Sequence, residues 1–111
     1  MIGTPKPRSP RLVRYEQRLA RDREAELQRS EIRVRDGHRC RHCQHYVKVG
    51  AVLLEQRAEV AHLVPRSLDP TRINDPSNQI LLCGVCHAKI HAHELEFHGT
   101  DEASVQIVTV R

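Results

Sequence analysis

Apolar residues recur every seven positions across residues 11–35: Val13, Ala20, Leu27 and Val34, with Leu12 and Leu19 beside that line. The segment contains no Pro or Gly, so the period predicts one long helix with a narrow apolar stripe and a charged remainder. Gly37 predicts its C-terminal end. The stripe is expected to pack on the rest of the domain in preference to pairing with a second copy. Further along, Tyr46–Leu54 around Gly50 and Val60–Val64 before Pro65 read as short strands. Residues 65–78, dense in Pro, Asp, Asn and Ser, predict a loop. Ile80–Leu82 reads as another short strand, Cys86 to about His93 has helical spacing, and Leu95–His98 with Ser104–Val110 predicts a terminal hairpin around Gly99. No internal repeat is evident.

Length and composition narrow this picture. At 111 residues the chain fits one domain with an appended arm, and residues 1–10, with Pro5, Pro7 and Pro10, read as that arm. Aromatic residues are scarce, with Phe97, Tyr15 and Tyr46 the complete set and no Trp. So thin a core calls for a staple such as a metal or disulfides. The formal charge of +4 is unevenly placed: residues 1–43 hold twelve Lys and Arg against six Asp and Glu, while residues 44–111 hold six against eight. A basic half of this kind suits a polyanion, although an Arg-rich solvated helix has the same composition. No apolar run approaches the ~18 residues of a membrane span, and the basic, Pro-rich start has no h-region. The expected location is therefore cytoplasmic, in a cell or in a phage-infected host.

In such a reducing compartment, paired CxxC motifs read as metal ligands. Cys40 and Cys43 form one pair and Cys83 and Cys86 the other, separated by 39 residues. Each pair bites one ion, and two bites complete a tetrahedral all-sulfur shell suited to structural Zn2+ with no open position. His38, His42 and His45 crowd the first pair and read as surface residues. His87 and His91 stand four apart on the expected helix, an i,i+4 arrangement that can hold a second cation with positions left open. His62, on a strand before a Pro-ended turn, is a candidate general base, because imidazole titrates near neutral pH.

The stretch Val60-Ala-His-Leu-Val-Pro65, then Asn78-Gln-Ile-Leu-Leu-Cys-Gly-Val-Cys-His87 and on to His91, resembles the HNH endonuclease family, also called ββα-metal or His-Me finger nucleases. The resemblance covers about residues 38–93, and the three letters fall on His62, Asn78 and His87. It implies an α+β fold: a small ββα-metal, treble-clef-like domain, here with a long N-terminal helix and a C-terminal β-hairpin. The expected organisation is a basic arm over 1–10, an Arg-rich helix over 11–36, and a zinc-stapled nuclease domain over 37–111. The resemblance also implies metal-dependent hydrolysis of DNA phosphodiester bonds. In that reading His62 is the base, Asn78 pins the backbone across the loop, and His87 with His91 holds the catalytic cation.

The sequence departs from the family at Ala61, where many members carry an Asp or His that ligates the metal. Three outcomes stay open: His87 and His91 hold the cation alone, Glu59 on the same strand face reaches in, or the site is weak or dead. Two imidazoles favour Mn2+, Ni2+ or Zn2+ over the harder Mg2+. Arg66 and Lys89 are candidates for holding the scissile phosphate. Arg8, Arg11, Arg14, Arg18, Arg21 and Arg23 are candidates for sequence-independent phosphate contacts with DNA. The assembly is open between a monomer, a homodimer and a larger nucleic-acid-processing complex. The main alternatives are a non-catalytic zinc-stabilised DNA-binding module and a zinc-stabilised protein-interaction module using the helix as a coiled-coil seam.

Overall fold

A computed structural model describes Gly3 and residues 7–110. Half of the arm expected over residues 1–10 lies outside the described residues, and its last member, Pro10, already opens helix α1 (Pro10–Arg35). Ser9 caps that helix by accepting the Leu12 amide, with Pro10 at the first position, where a missing N–H costs nothing. Its other end closes on Gly37 at φ +67°. There the Gly37 amide reaches Val34 O and the His38 amide reaches Arg33 O, which satisfies carbonyls the helix leaves orphaned.

α1 docks through its last turns. Ile32 is buried, Gln28 donates to Asn74 O, and Arg35 donates to the carbonyls of Pro76 and Gln79. The heptad stripe behaves otherwise than expected. Val13 is half-buried, but Leu12, Leu19, Ala20, Leu27 and Val34 are exposed. At about 100° per residue, they lie on the side of the helix opposite Gln28 and Ile32. A narrow apolar line is therefore not what anchors the helix; one buried Ile and a set of polar contacts to the loop do so.

The core is a two-stranded antiparallel sheet with a helix behind it. β1 (Ala58–His62) pairs with β2 (Gln79–Cys83), with Val60 opposite Leu81 and His62 opposite Gln79. α2 (Gly84–His91) follows β2 directly. Every residue of β2 is buried, which explains its unbroken apolar run Ile80-Leu-Leu-Cys83. Among the described residues no strand lies along its second edge. The Leu81 amide instead donates to the Asp36 carboxylate at 2.9 Å, and Leu81 O accepts the Arg41 amide at 2.9 Å. The end of α1 and the first cysteine knuckle thus seal an edge that would otherwise leave buried backbone groups unpaired.

Gly84 opens α2 because nothing larger fits: an added Cβ would lie 2.9 Å from Leu54 O. A second antiparallel pair, β3 (Leu95–His98) and β4 (Gln106–Thr109), forms the expected hairpin. It is tied to the loop by the Glu102 amide on Ser77 O and by Arg72 on Thr100 O.

The expected strand over Tyr46–Leu54 is absent. Those residues form isolated bridges at Tyr46 and Lys48, a turn at Gly50 and a short 3-10 turn over Leu54–Gln56. Only Val47 and Ala51 point inward, while Val49, Val52 and Leu53 are exposed, so the run has neither a partner strand nor a buried face. The 65–78 loop is built from two 3-10 turns, Pro70–Arg72 and Pro76–Asn78, each capped by the Asp that precedes its Pro.

Candidate active site

The four cysteine sulfurs of Cys40, Cys43, Cys83 and Cys86 all lie within 4.8 Å of one another. Cys43 Sγ and Cys83 Sγ are 3.7 Å apart, close to the ~3.8 Å that two sulfurs about 2.3 Å from a tetrahedral zinc would show. The Cys86 amide also donates to Cys83 Sγ. Burial, then the Cys83 and Cys40 thiols beside it, push the Cys86 thiol far above its usual range. Burial, foremost, also raises Cys43. At Cys40, burial opposes the amides of Cys43, Cys83 and His42, which together bring its thiol below the ordinary value. Four thiolates packed this tightly repel one another, and a divalent cation among them reverses the balance. The donor set therefore fits structural zinc. It joins the knuckle after α1 to the start of α2, where Cys83 is the N-cap.

A second cluster occupies the opposite end of the sheet. His62, Ala61, Arg66, Ile73, His87, Ile90, His91 and Phe97 line an open cavity of about 360 Å³. His87 and His91 project from one face of α2 with ring centroids 4.7 Å apart and Nε2 atoms 3.2 Å apart. Two nitrogens at that separation, each about 2.1 Å from one cation, would subtend roughly 100°, inside the tetrahedral-to-octahedral range. His87 Nδ1 donates to Glu59 Oε2 at 2.9 Å. That bond leaves the His87 lone pair on Nε2, the atom facing His91.

His62 closes β1 and is exposed, and its Nε2 donates to Ile73 O at 2.9 Å. A carbonyl only accepts, so in the neutral ring the proton sits on Nε2 and the lone pair on Nδ1. Asn78 is completely buried. Its Oδ1 accepts the Val64 amide at 2.7 Å, and its Nδ2 donates to Val64 O at 3.0 Å and Arg72 O at 3.2 Å. Its own carbonyl accepts the Leu63 amide. One side chain thus holds both the segment leaving His62 and the loop that supplies Ile73.

The cavity gathers His62, His87, His91 and Arg66 but not Lys89, an exposed α2 residue absent from its walls. Ala61 is buried, and Glu59, two residues earlier on the strand, contacts the histidine pair through His87 Nδ1. Sequence reading missed the Ile73 carbonyl, because any residue type supplies one. It also missed Phe97 and Ile90 as cavity walls.

A ββα finger bearing a four-cysteine knuckle and an imidazole-lined cavity defines the ββα-metal class. A family model described as HNH endonuclease matches residues 40–93, so that segment is similar to the HNH endonuclease family, whose members are generally nucleases that use divalent metals. No curated protein and no solved structure matches the chain. Among the described residues, no helix is long and apolar enough to cross a membrane.

Proposed function

We propose that the protein is a metal-dependent DNA endonuclease of the cytoplasm, cutting phosphodiester bonds at the 360 Å³ cavity. The observation that carries the proposal is the convergence of His62, His87 and His91 on that one cavity. The two α2 imidazoles stand at chelating separation there, and His62 has its ring tautomer fixed. The proposed division is a basic arm over 1–10, an Arg-rich helix over 11–36 and a zinc-stapled catalytic domain over 37–111.

His62 acts as general base. With Nε2 held by Ile73 O, its Nδ1 lone pair takes the proton of the attacking water. Asn78 keeps that geometry by fixing Val64 and Arg72, and it does not touch substrate. His87 and His91 would hold a divalent cation, with Glu59 orienting the first of them. When bound, that ion neutralises the phosphoryl charge and stabilises the departing 3′ oxygen. Arg66, exposed at the cavity wall, contacts the scissile phosphate. The two-imidazole set favours Mn2+, Ni2+ or Zn2+ over Mg2+. Zn2+ at the four cysteines is structural.

One observation favours a second reading, a non-catalytic zinc-stabilised DNA-binding module: the buried position before His62 is Ala61, which ligates nothing. The deciding experiment incubates supercoiled plasmid with the protein in Mg2+, Mn2+, Ni2+ or Zn2+, beside His62→Ala and His87→Ala variants that retain the structural zinc. Nicking by the wild type alone supports the endonuclease. DNA binding without cutting in any cation supports the module.

A further inference from the structure

The arginines of α1 are not equivalent. At about 100° per residue, Arg11, Arg14, Arg18 and Arg21 fall within roughly an 80° arc of the helix. This is the arc that continues through Ala25 and Gln28 to the buried Ile32. The four arginines therefore form a column on the domain-facing side of α1. Arg23 lies on the opposite side, and Arg8 pairs with Glu16, also away from the column. No ion pair among the described residues engages Arg11, Arg14, Arg18 or Arg21, whereas Arg29, Arg33 and Arg35 further along are all paired.

The column runs into a cleft lined by Arg18, Arg21, Ala25, Gln28 and Asn74, with Asp22 and Glu24 also on its wall. Asn74 is the chain neighbour of Ile73, which lines the cavity of His62 and holds its Nε2. The arginine cleft and the proposed active site thus adjoin across a single peptide bond.

We propose that Arg11, Arg14, Arg18 and Arg21 form a phosphate-backbone clamp for duplex DNA flanking the cleavage site. From Arg11 to Arg21 a helix rises about 15 Å, which matches roughly four base pairs of duplex. The local aromatic residue, Tyr15, lies against the Arg18 guanidinium at 5.5 Å and is not set out as a base-stacking platform, which disfavours single strands. Phosphate contacts of this kind fix the position of the duplex without reading its sequence. The proposal rests on the nucleic-acid part of the proposed function and is independent of its chemistry.

The test is equilibrium binding of a 20-base-pair DNA duplex to the full chain, in the His62→Ala background so that nothing is cut, over a salt series. The variants are the fourfold Arg→Gln column change, Arg18→Gln alone and Arg23→Gln alone. Retained helical circular dichroism and zinc content verify folding. Each lost phosphate contact removes about 0.9 from the slope of log affinity against log salt. Raising salt from about 50 to 200 mM should therefore weaken the unmodified column roughly 100-fold more than the fourfold variant. Arg18→Gln should lower the slope by about one, and Arg23→Gln should leave it unchanged. An unchanged slope in the fourfold variant, or equal effects of Arg18→Gln and Arg23→Gln, overturns the clamp. Column-dependent binding of polyglutamate without column-dependent binding of duplex would mean a protein partner and equally overturns it. A column-dependent slope in a protein that cuts no plasmid upholds the clamp while the endonuclease reading fails.

Discussion

Glu59 Oε2 lies 2.9 Å from His87 Nδ1, joining the middle of β1 to the face of α2 that carries both cavity-lining imidazoles. The contact turns a strand carboxylate into the partner of a proposed metal ligand. It fixes the imidazole tautomer and the ring orientation.

Glu59→Ala should weaken the catalytic cation about 10- to 100-fold, because partners of this kind typically contribute that much to affinity. Glu59→Gln keeps an acceptor without the charge and should fall between the two. The cation concentration giving half-maximal plasmid nicking measures this, and Mn2+ binding followed by electron paramagnetic resonance gives a readout without turnover. Unchanged half-maximal concentrations for both variants would reduce Glu59 to a surface contact of His87.

Ala61 separates Glu59 from His62 on the same strand and is buried at the cavity wall. Placing a carboxylate there, Ala61→Asp, adds a hard oxygen donor beside two imidazoles. The cation preference should then move toward Mg2+, since oxygen ligands suit it and nitrogen ligands do not. Nicking rates in Mg2+ relative to Mn2+ give the comparison. A ratio that does not rise would mean that this wall of the cavity is not where the cation sits.

Much of this architecture was legible in the sequence because it rests on residue type and spacing. The unbroken apolar run Ile80-Leu-Leu marked β2, and the paired CxxC motifs marked the sulfur cluster. Gly37 marked the end of α1. What stayed hidden depends on directions in space. The stripe through Val13, Ala20, Leu27 and Val34 had the right period for a packed face, yet the docked side is the one with Gln28 and Ile32. Period alone does not say which side meets the domain when polar contacts do the anchoring. Tyr46–Leu54 had strand composition but no strand to pair with. In the site, His62, His87 and His91 carried recognisable chemistry. The Ile73 carbonyl is a backbone group that any residue type supplies, and the edge-sealing Asp36 carboxylate meets the Leu81 amide 45 residues away, a pairing that only the fold sets.

Asn78→Ala should destabilise the domain by about 2–4 kcal/mol, because it strands the half-buried Val64 amide together with the Val64 and Arg72 carbonyls. Urea unfolding measures this. Asn78→Asp keeps the Val64 amide bond and loses both donated bonds, so it should also destabilise. Nicking by the Asn78 variants, assayed where they remain folded, should drop because the loop bearing Ile73 no longer holds His62.

Asp36 predicts a pH dependence. Burial alone would raise its carboxyl, but the Arg35 hydrogen bond, the Leu81 amide and the charges of Arg35 and Arg41 outweigh it and hold the group below its ordinary value of 3.8. A carboxylate depressed in the folded state contributes stability that is present above its unfolded value and lost as pH falls through the folded one. Stability should therefore decline below about pH 4, and Asp36→Asn should be less stable than wild type at pH 7 while losing less on acidification. Thermal melts of both proteins between pH 2.5 and 7 make the comparison. Parallel melting curves across that range would show that the Asp36 charge does not matter to the fold.

The two proposed metals should separate on removal. A catalytic cation held by His87 and His91 is open to solvent at the cavity, so a brief exposure to a weak chelator should abolish nicking while the fold persists. The cysteine cluster behaves differently. Structural zinc contributes roughly 10–16 kcal/mol of apparent binding free energy in small domains, as much as or more than the ~5–15 kcal/mol that holds a whole domain together. Stripping it, or replacing Cys83 with Ser, should therefore unfold residues 40–98 and expose β2. Protons compete with zinc for the thiolates, so release should also accompany acidification. Zinc release followed with a colorimetric chelator, alongside circular dichroism, should show metal loss and unfolding in one transition. A zinc-free protein that kept its native dichroism and melting temperature would assign the sheet's stability to its apolar core alone.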